Sequence, residues 1–130
     1  MKLCESSFGQ RPVCGPAGLK LRRRLDHVRQ LMMAEPEVSH PLSRLAREAG
    51  CSPFHFARLF KRETGHSVRG YRLRLRLAVV MDLLNRGAED LSAVALEAGF
   101  AHHSHMTSAF RTVLGVTPSD LRLQFMRAAA

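Results

Sequence analysis

Residues 42–65 read LSRLAREAGCSPFHFARLFKRETG, and residues 91–115 read LSAVALEAGFAHHSHMTSAFRTVLG. Laid over one another, Leu42, Ser43, Ala46, Glu48, Ala49 and Gly50 fall on Leu91, Ser92, Ala95, Glu97, Ala98 and Gly99. After one inserted residue, Phe60, Lys61, Gly65 and Ser67 fall on Phe110, Arg111, Gly115 and Thr117, and Arg72 falls on Arg122. Each copy has the pattern of two short helices meeting at a tight turn: a small alanine lets the second helix cross closely, and a glycine accepts the left-handed turn. One copy alone fits an ordinary helical hairpin as well as a DNA-binding unit. Two copies in one chain mark a repeated helix-turn-helix module.

Working outward, Leu21, Leu25, Val28, Leu31 and Met32 share one helical face with Arg22, Arg23, Arg24 and Asp26 opposite, which predicts a first helix ending before Pro36. The second helix is expected to start near Pro41 in its first turn, and the third to be capped by Ser52 with Pro53 following. Ser67 caps a longer helix to about Asn85, Asp90 caps the fifth, Gly99 turns into the sixth, and Thr117 with Pro118 and Asp120 opens the last. Tyr71 to Leu77 alternates apolar and basic residues at strand period, so a hairpin arm competes there. Helix is preferred because Leu and Arg are good helix formers and Tyr71, Leu75, Val79 and Leu83 recur four apart. The expected fold is all-α, about seven helices, with a mobile arm over 1–18 rich in Gly and Pro, a first lobe over 19–66, a linker helix over 67–86 and a second lobe over 87–130.

The strings Leu45 to Pro53 and Phe56 to Gly65, with Ala98-Gly99-Phe100, Phe110-Arg111, Gly115 and Thr117-Pro118, strongly resemble the DNA-binding domain of AraC/XylS-type transcription regulators. The resemblance runs from about Leu21 to Met126. It implies two helix-turn-helix lobes joined by a long helix, two recognition helices in successive major-groove segments, and, for the short members, a monomeric activator. The expected partners are double-stranded DNA and RNA polymerase, with no membrane and no cofactor, and the expected place is the cytoplasm at the nucleoid. The roughly 40 residues before the first unit leave no room for an effector-sensing domain. That points to regulation through the protein's abundance, or to a fragment of a longer effector-sensing regulator; a regulator acting mainly through protein contacts is the further alternative.

The bulk numbers agree. Lysine and arginine total 20 against 11 acidic residues, a net charge of +9 and a pI near 11.0, which favours a polyanionic partner. The longest apolar run, Leu77 to Met81, is far too short to span a bilayer. Cys4, Cys14 and Cys51 are an odd set without a close pair, which excludes a disulfide framework or a four-cysteine zinc site. No nearby residue marks Cys4 or Cys14 as an activated thiolate for a redox role. His102, His103 and His105 lack the carboxylates and spacing of a metal motif, and Cys51 with His55 has no orienting acid, so neither metal nor catalytic residues are expected.

Base reading needs side-chain tips on the exposed N-terminal half of a recognition helix. In the first unit Phe54, Ala57 and Arg58 hold those positions and match base-reading positions of the family. Arg58 can bond guanine O6 and N7 with two donors, Phe54 can meet a thymine methyl or cap its own lobe, and Ala57 offers only a methyl. Ser52, Lys61, Arg62 and Arg69 are the expected phosphate contacts. From Ser52 to Arg76, seven basic residues against Glu63 alone make a local charge of +6 (7 − 1), with Arg76 expected to pair internally with an acid.

In the second unit His103, Ser104, Thr107 and Ser108 match base-facing positions, and Arg111 matches a phosphate contact. Ser108 replaces a basic or long polar residue, and His105 with Met106 stands where an aromatic pair is usual. Leu121 and Val80 depart from the pattern as core substitutions. From Gly87 to Gly115, Arg111 against three acids gives −2 (1 − 3), so the second lobe is expected to bind DNA more weakly.

Overall fold

The computed structural model describes residues 15–129. They form seven α-helices: α1 (Gly15–Ala34), α2 (Leu42–Ala49), α3 (Pro53–Thr64), α4 (Val68–Asn85), α5 (Leu91–Ala98), α6 (His103–Leu114) and α7 (Pro118–Ala129). Among the described residues there is no strand, so the all-α architecture with two helix-turn-helix units holds.

The helix starts follow from side-chain chemistry. Ser52 Oγ accepts the N–H of His55 at 3.2 Å, and Ser67 Oγ that of Gly70 at 3.0 Å. Asp90 accepts from Ser92 and Ala93, while Thr117 and Asp120 bond reciprocally at 3.1 and 3.4 Å, closing a capping box. Two starts differ from expectation. Helix α1 begins at Gly15, inside the stretch assigned to the arm, because a proline just inside a first turn does not break a helix. Lys2, Arg11, Cys4 and Cys14 lie outside the described residues. Pro41 is the residue before α2 rather than its first turn, with extended backbone at φ −63° and ψ 147°.

Two hydrophobic cores share α4. The first joins α1, α2 and α3 around Val28, Met32, Leu45, Phe56 and Phe60. The ring of Tyr71 from α4 meets Phe60 edge-on at 5.2 Å. The second joins α5 and α6 to Leu77, Val80 and Leu84 around Met106 and Phe110, with Leu121 and Phe125 of α7 packed against it. This resolves the alternation from Tyr71 to Leu77. At 100° per residue, Val68, Tyr71 and Leu75 lie on one face of α4 and Leu73, Leu77, Val80 and Leu84 on the opposite one. A helix between two cores needs two apolar stripes, and their interleaving imitates a strand.

The repeat extends to a brace. Arg72 donates to the His40 carbonyl and Arg122 to the Glu89 carbonyl, both at 2.6 Å. Each accepting carbonyl sits just ahead of the first helix of a unit, so each arginine ties the helix that follows a unit to the start of that unit.

Candidate nucleic-acid interface

A cleft of about 1540 Å³ opens between α3 and α6, floored by α4. Phe54, Arg58 and Lys61 form one wall, Ser108 and Thr112 the other, and Arg69 stands at the floor. Phe54 is 72% exposed, unusual for an aromatic, and the Arg58 guanidinium lies 5.7 Å over its ring. That stacking is worth about 0.5–1 kcal/mol at an exposed site and restrains the guanidinium.

Arg58, Lys61, Arg62 and Arg69 are all exposed, and only Arg62 approaches an acid, Glu63, at 3.9 Å. Ser52 accepts a bond as the cap of α3, which leaves its O–H proton to donate outward. Arg72 and Arg76 are different. Arg76 donates to the Pro36 carbonyl at 2.9 Å and to Ser39 Oγ at 2.8 Å, clamping the connection between α1 and α2. The expected acid partner is replaced by a carbonyl and a hydroxyl, because Arg76 reaches across to that connection, where backbone oxygens are what it meets. Burial, and then the charge of Arg69, draw the Arg72 pKa down; burial, and then Arg72, do the same to Arg76, with Glu37 opposing. Both remain guanidinium cations at neutral pH. Their field persists in the cleft while Arg72 Nη2 and Arg76 Nε and Nη2 are engaged within the fold; Arg72 Nε is buried without a partner. His40 beside them is buried, with both ring nitrogens unbonded and Glu35 Oε1 at 3.4 Å from Nε2.

The structure therefore brings Phe54, Ala57, Arg58, Lys61, Arg62, Arg69 and Ser108 to one concave surface. Ser52, His103, Ser104, Thr107 and Arg111 do not line it. Of those, His103 and Ser104 are exposed on the first turn of α6, with Ser104 Oγ 2.9 Å from His102 Nδ1, and Arg111 is exposed further along. Thr107 is only partly accessible, as is Ala57 at the equivalent repeat position. His105 and Thr112 line the cleft and were absent from the expected set. Thr112 had a signal: it occupies the repeat position of Arg62. His105 had none in local sequence, since it is placed by its edge-on contact with Phe100, ring centroids 5.4 Å apart.

The +6 assigned to the first unit resolves in space. Arg69, Arg72 and Arg76 share the cleft side of α4, and Arg74 does not line the cleft. Four cations with free donors remain on the side of α3 and α4, while α6 contributes His105, Ser108, Ala109 and Thr112.

Among the described residues no cluster of three or more His, Cys, Asp or Glu side chains is placed to hold a metal. The His102 and His105 rings are 6.1 Å apart, and Cys51 is half-buried with Sγ 3.7 Å from the Ala49 carbonyl. No described helix is long and apolar enough to cross a membrane.

A family model described as a helix-turn-helix domain matches residues 45–124. The chain is 37% identical over 82 residues to the virulence regulon transcriptional activator VirF of Yersinia enterocolitica, covering 63% of this chain and 30% of VirF. It is 28% identical over 95 residues to the multiple antibiotic resistance protein MarA of Escherichia coli K12, covering 72% of this chain and 75% of MarA. The crystal structure of an AraC-type DNA-binding domain-containing regulator from Chromobacterium violaceum superposes with a TM-score of 0.74 at 29% identity, over 80% of this chain and 93% of that one. The DNA-binding domain of AdpA, solved in complex with a target DNA, shares the fold with a TM-score of 0.75 at 23% identity, over 81% and 95%.

Proposed function

The chain belongs to the AraC/XylS-type transcription regulators, and from that premise we propose that it binds one asymmetric DNA site as a monomer, with α3 and α6 in two successive major-groove segments. The observation that carries this is the shared cleft: two recognition helices flank one concave, basic surface on a single chain. The 18 residues of α4 span about 27 Å at 1.5 Å per residue, comparable to the roughly 34 Å between major-groove faces one turn apart. Two lobes on such a linker suit two adjacent segments on one side of a duplex.

In this proposal Phe54, Ala57 and Arg58 read bases from the first lobe, and His103, Ser104, Thr107 and Ser108 from the second. Ser52, Lys61, Arg62, Arg69 and Arg111 hold phosphates. Arg58 provides the sharpest discrimination, through a two-donor contact to guanine. The first lobe dominates, because its wall of the cleft carries the free cations. Activation of transcription, through RNA polymerase at the nucleoid, completes the proposal; VirF, of which this chain spans 30%, is a transcriptional activator.

The test is selection of bound duplexes from a random library, followed by footprinting and stoichiometry. The expected result is an asymmetric protected site of about 20 base pairs, two groove faces, with one chain bound. A two-fold symmetric footprint with two chains per duplex contradicts the proposal.

A further inference from the structure

Each unit places an arginine from the preceding long helix over the glycine of its turn. A Cβ built at Gly99 would stand 2.9 Å from Arg76 Nε, and one at Gly50 would stand 2.6 Å from Arg24 Nη1. Arg76 is bonded into the fold. Arg24 sits in the same place with no acid paired to it among the described residues, and it is exposed.

Two contacts fix how α1 runs along α2. His27 Nε2 meets Glu48 Oε1 at 3.2 Å, and Arg24 overlies Gly50. Going backwards along α1 thus means going forwards along α2 and past its end, so α1 before Arg24 runs on past the end of α2, where the chain turns toward α3. Lys20, Arg23, Arg24 and His27 recur at i, i+3, i+4 and i+7 and so lie along one flank. Lys20, Arg23 and Arg24 are exposed, as is Arg47 on the last turn of α2, close to the same glycine. The acid nearest in sequence on α2, Glu48, is taken by His27. Like charges gathered without a counter-ion repel one another, and a polyanion laid against them relieves that.

Since the N-terminal turn of a recognition helix is the part that enters the groove, cations beside that turn face the backbone at the groove's outer edge. We infer that Lys20, Arg23 and Arg24 of α1, with Arg47 of α2, form a second DNA-backbone site, which grips the duplex flanking the first-lobe segment on the side away from the second lobe. This rests on the assignment of α3 as a DNA-reading helix. Base sequence in the flank is not read, because the contacts are to phosphate.

The experiment uses the full chain and two duplexes carrying the selected site, one flush with the first-lobe segment and one extended there by about half a helical turn. The wild type should bind the extended duplex more tightly and with a steeper dependence on salt. At about 0.9 logarithmic units of slope per phosphate, Lys20→Gln with Arg23→Gln should make the loss of affinity between about 50 and 200 mM salt about 12-fold smaller on the extended duplex. Adding Arg24→Gln should make it about 40-fold smaller. Neither variant should change binding to the flush duplex. The double variant leaves Arg24 over the turn, so a folding defect cannot imitate the result. Equal salt dependence of wild type and both variants on the extended duplex overturns the inference, as does an equal gain from extending the opposite end. Arg58→Ala should weaken both duplexes alike; if it weakens neither while the flank effect persists, the base-reading assignment fails and the flanking site stands.

Discussion

Phe60 and Phe110 occupy the same place in the two lobes and are both fully buried. Arg58 and Ser108, two residues earlier in each unit, share a place and little else: one stacks on an exposed aromatic, the other presents a hydroxyl. The same division runs through both modules. Positions that pack or brace recur, such as Ala46 with Ala95, Gly50 with Gly99, and Arg72 with Arg122. Positions that face the cleft diverge, such as Arg62 with Thr112. The scaffold is held by burial and turn geometry, which admit few side chains, whereas the cleft face is free to suit what it binds. The two lobes differ at the cleft face, then, more than as folds.

The largest expected effect concerns how the scaffolds are embedded. Gly99 has φ +101°, and a Cβ there would lie 2.7 Å from the Glu37 Cα, so backbone must move. Gly50 has φ +74°, and its close neighbour is the flexible end of Arg24. Gly99→Ala should cost about 3 kcal/mol, left-handed strain plus overpacking, and Gly50→Ala about 1–2 kcal/mol. Urea denaturation of the two variants checks this. Equal losses would mean that the connection between α1 and α2 does not press on the second unit's turn.

Next is the divergence at the cleft. Arg58→Ala should cost about 1–3 kcal/mol of binding and relax preference at one base pair, while Ser108→Ala should cost about 1 kcal/mol or less. Titration of both variants on the selected duplex and its single-base variants reads the difference. Full affinity after Arg58→Ala, together with loss of recognition on substituting His103 or Thr107, would reverse the roles of the lobes. The smallest effect is on salt: Lys61→Ala should flatten the slope of log affinity against log salt by about 0.9, and Thr112→Val should leave it unchanged. An unaltered slope after Lys61→Ala would show that this cation points away from the phosphates.

Much of the scaffold was legible in the sequence because its determinants are local. Ser52, Ser67, Asp90 and Thr117 cap helices through bonds to backbone two or three residues away. The ambiguity at Tyr71 to Leu77 arose because α4 serves two cores, a fact no window on one segment contains. Arg72 and Arg76 counted toward the local +6 in the sequence, Arg76 with an acid as its expected partner, yet their donors go to carbonyls 32 and 40 residues away. His105 is placed by a ring outside its own helix, and Thr112 carries no charge to draw notice. The local determinants show where a helix begins, and only the tertiary contacts show which of its polar groups remain free to meet a ligand.

The asymmetry between the lobes is tested most directly by replacing each base pair of the selected site in turn and measuring wild-type affinity for every duplex. A specifically read base pair typically costs about 1–3 kcal/mol when replaced. Penalties of that size should cluster in the half of the site under α3, with the deepest at the guanine opposite Arg58, and the half under α6 should show mostly smaller ones. Penalties spread evenly over both halves, or concentrated under α6, would contradict the asymmetry.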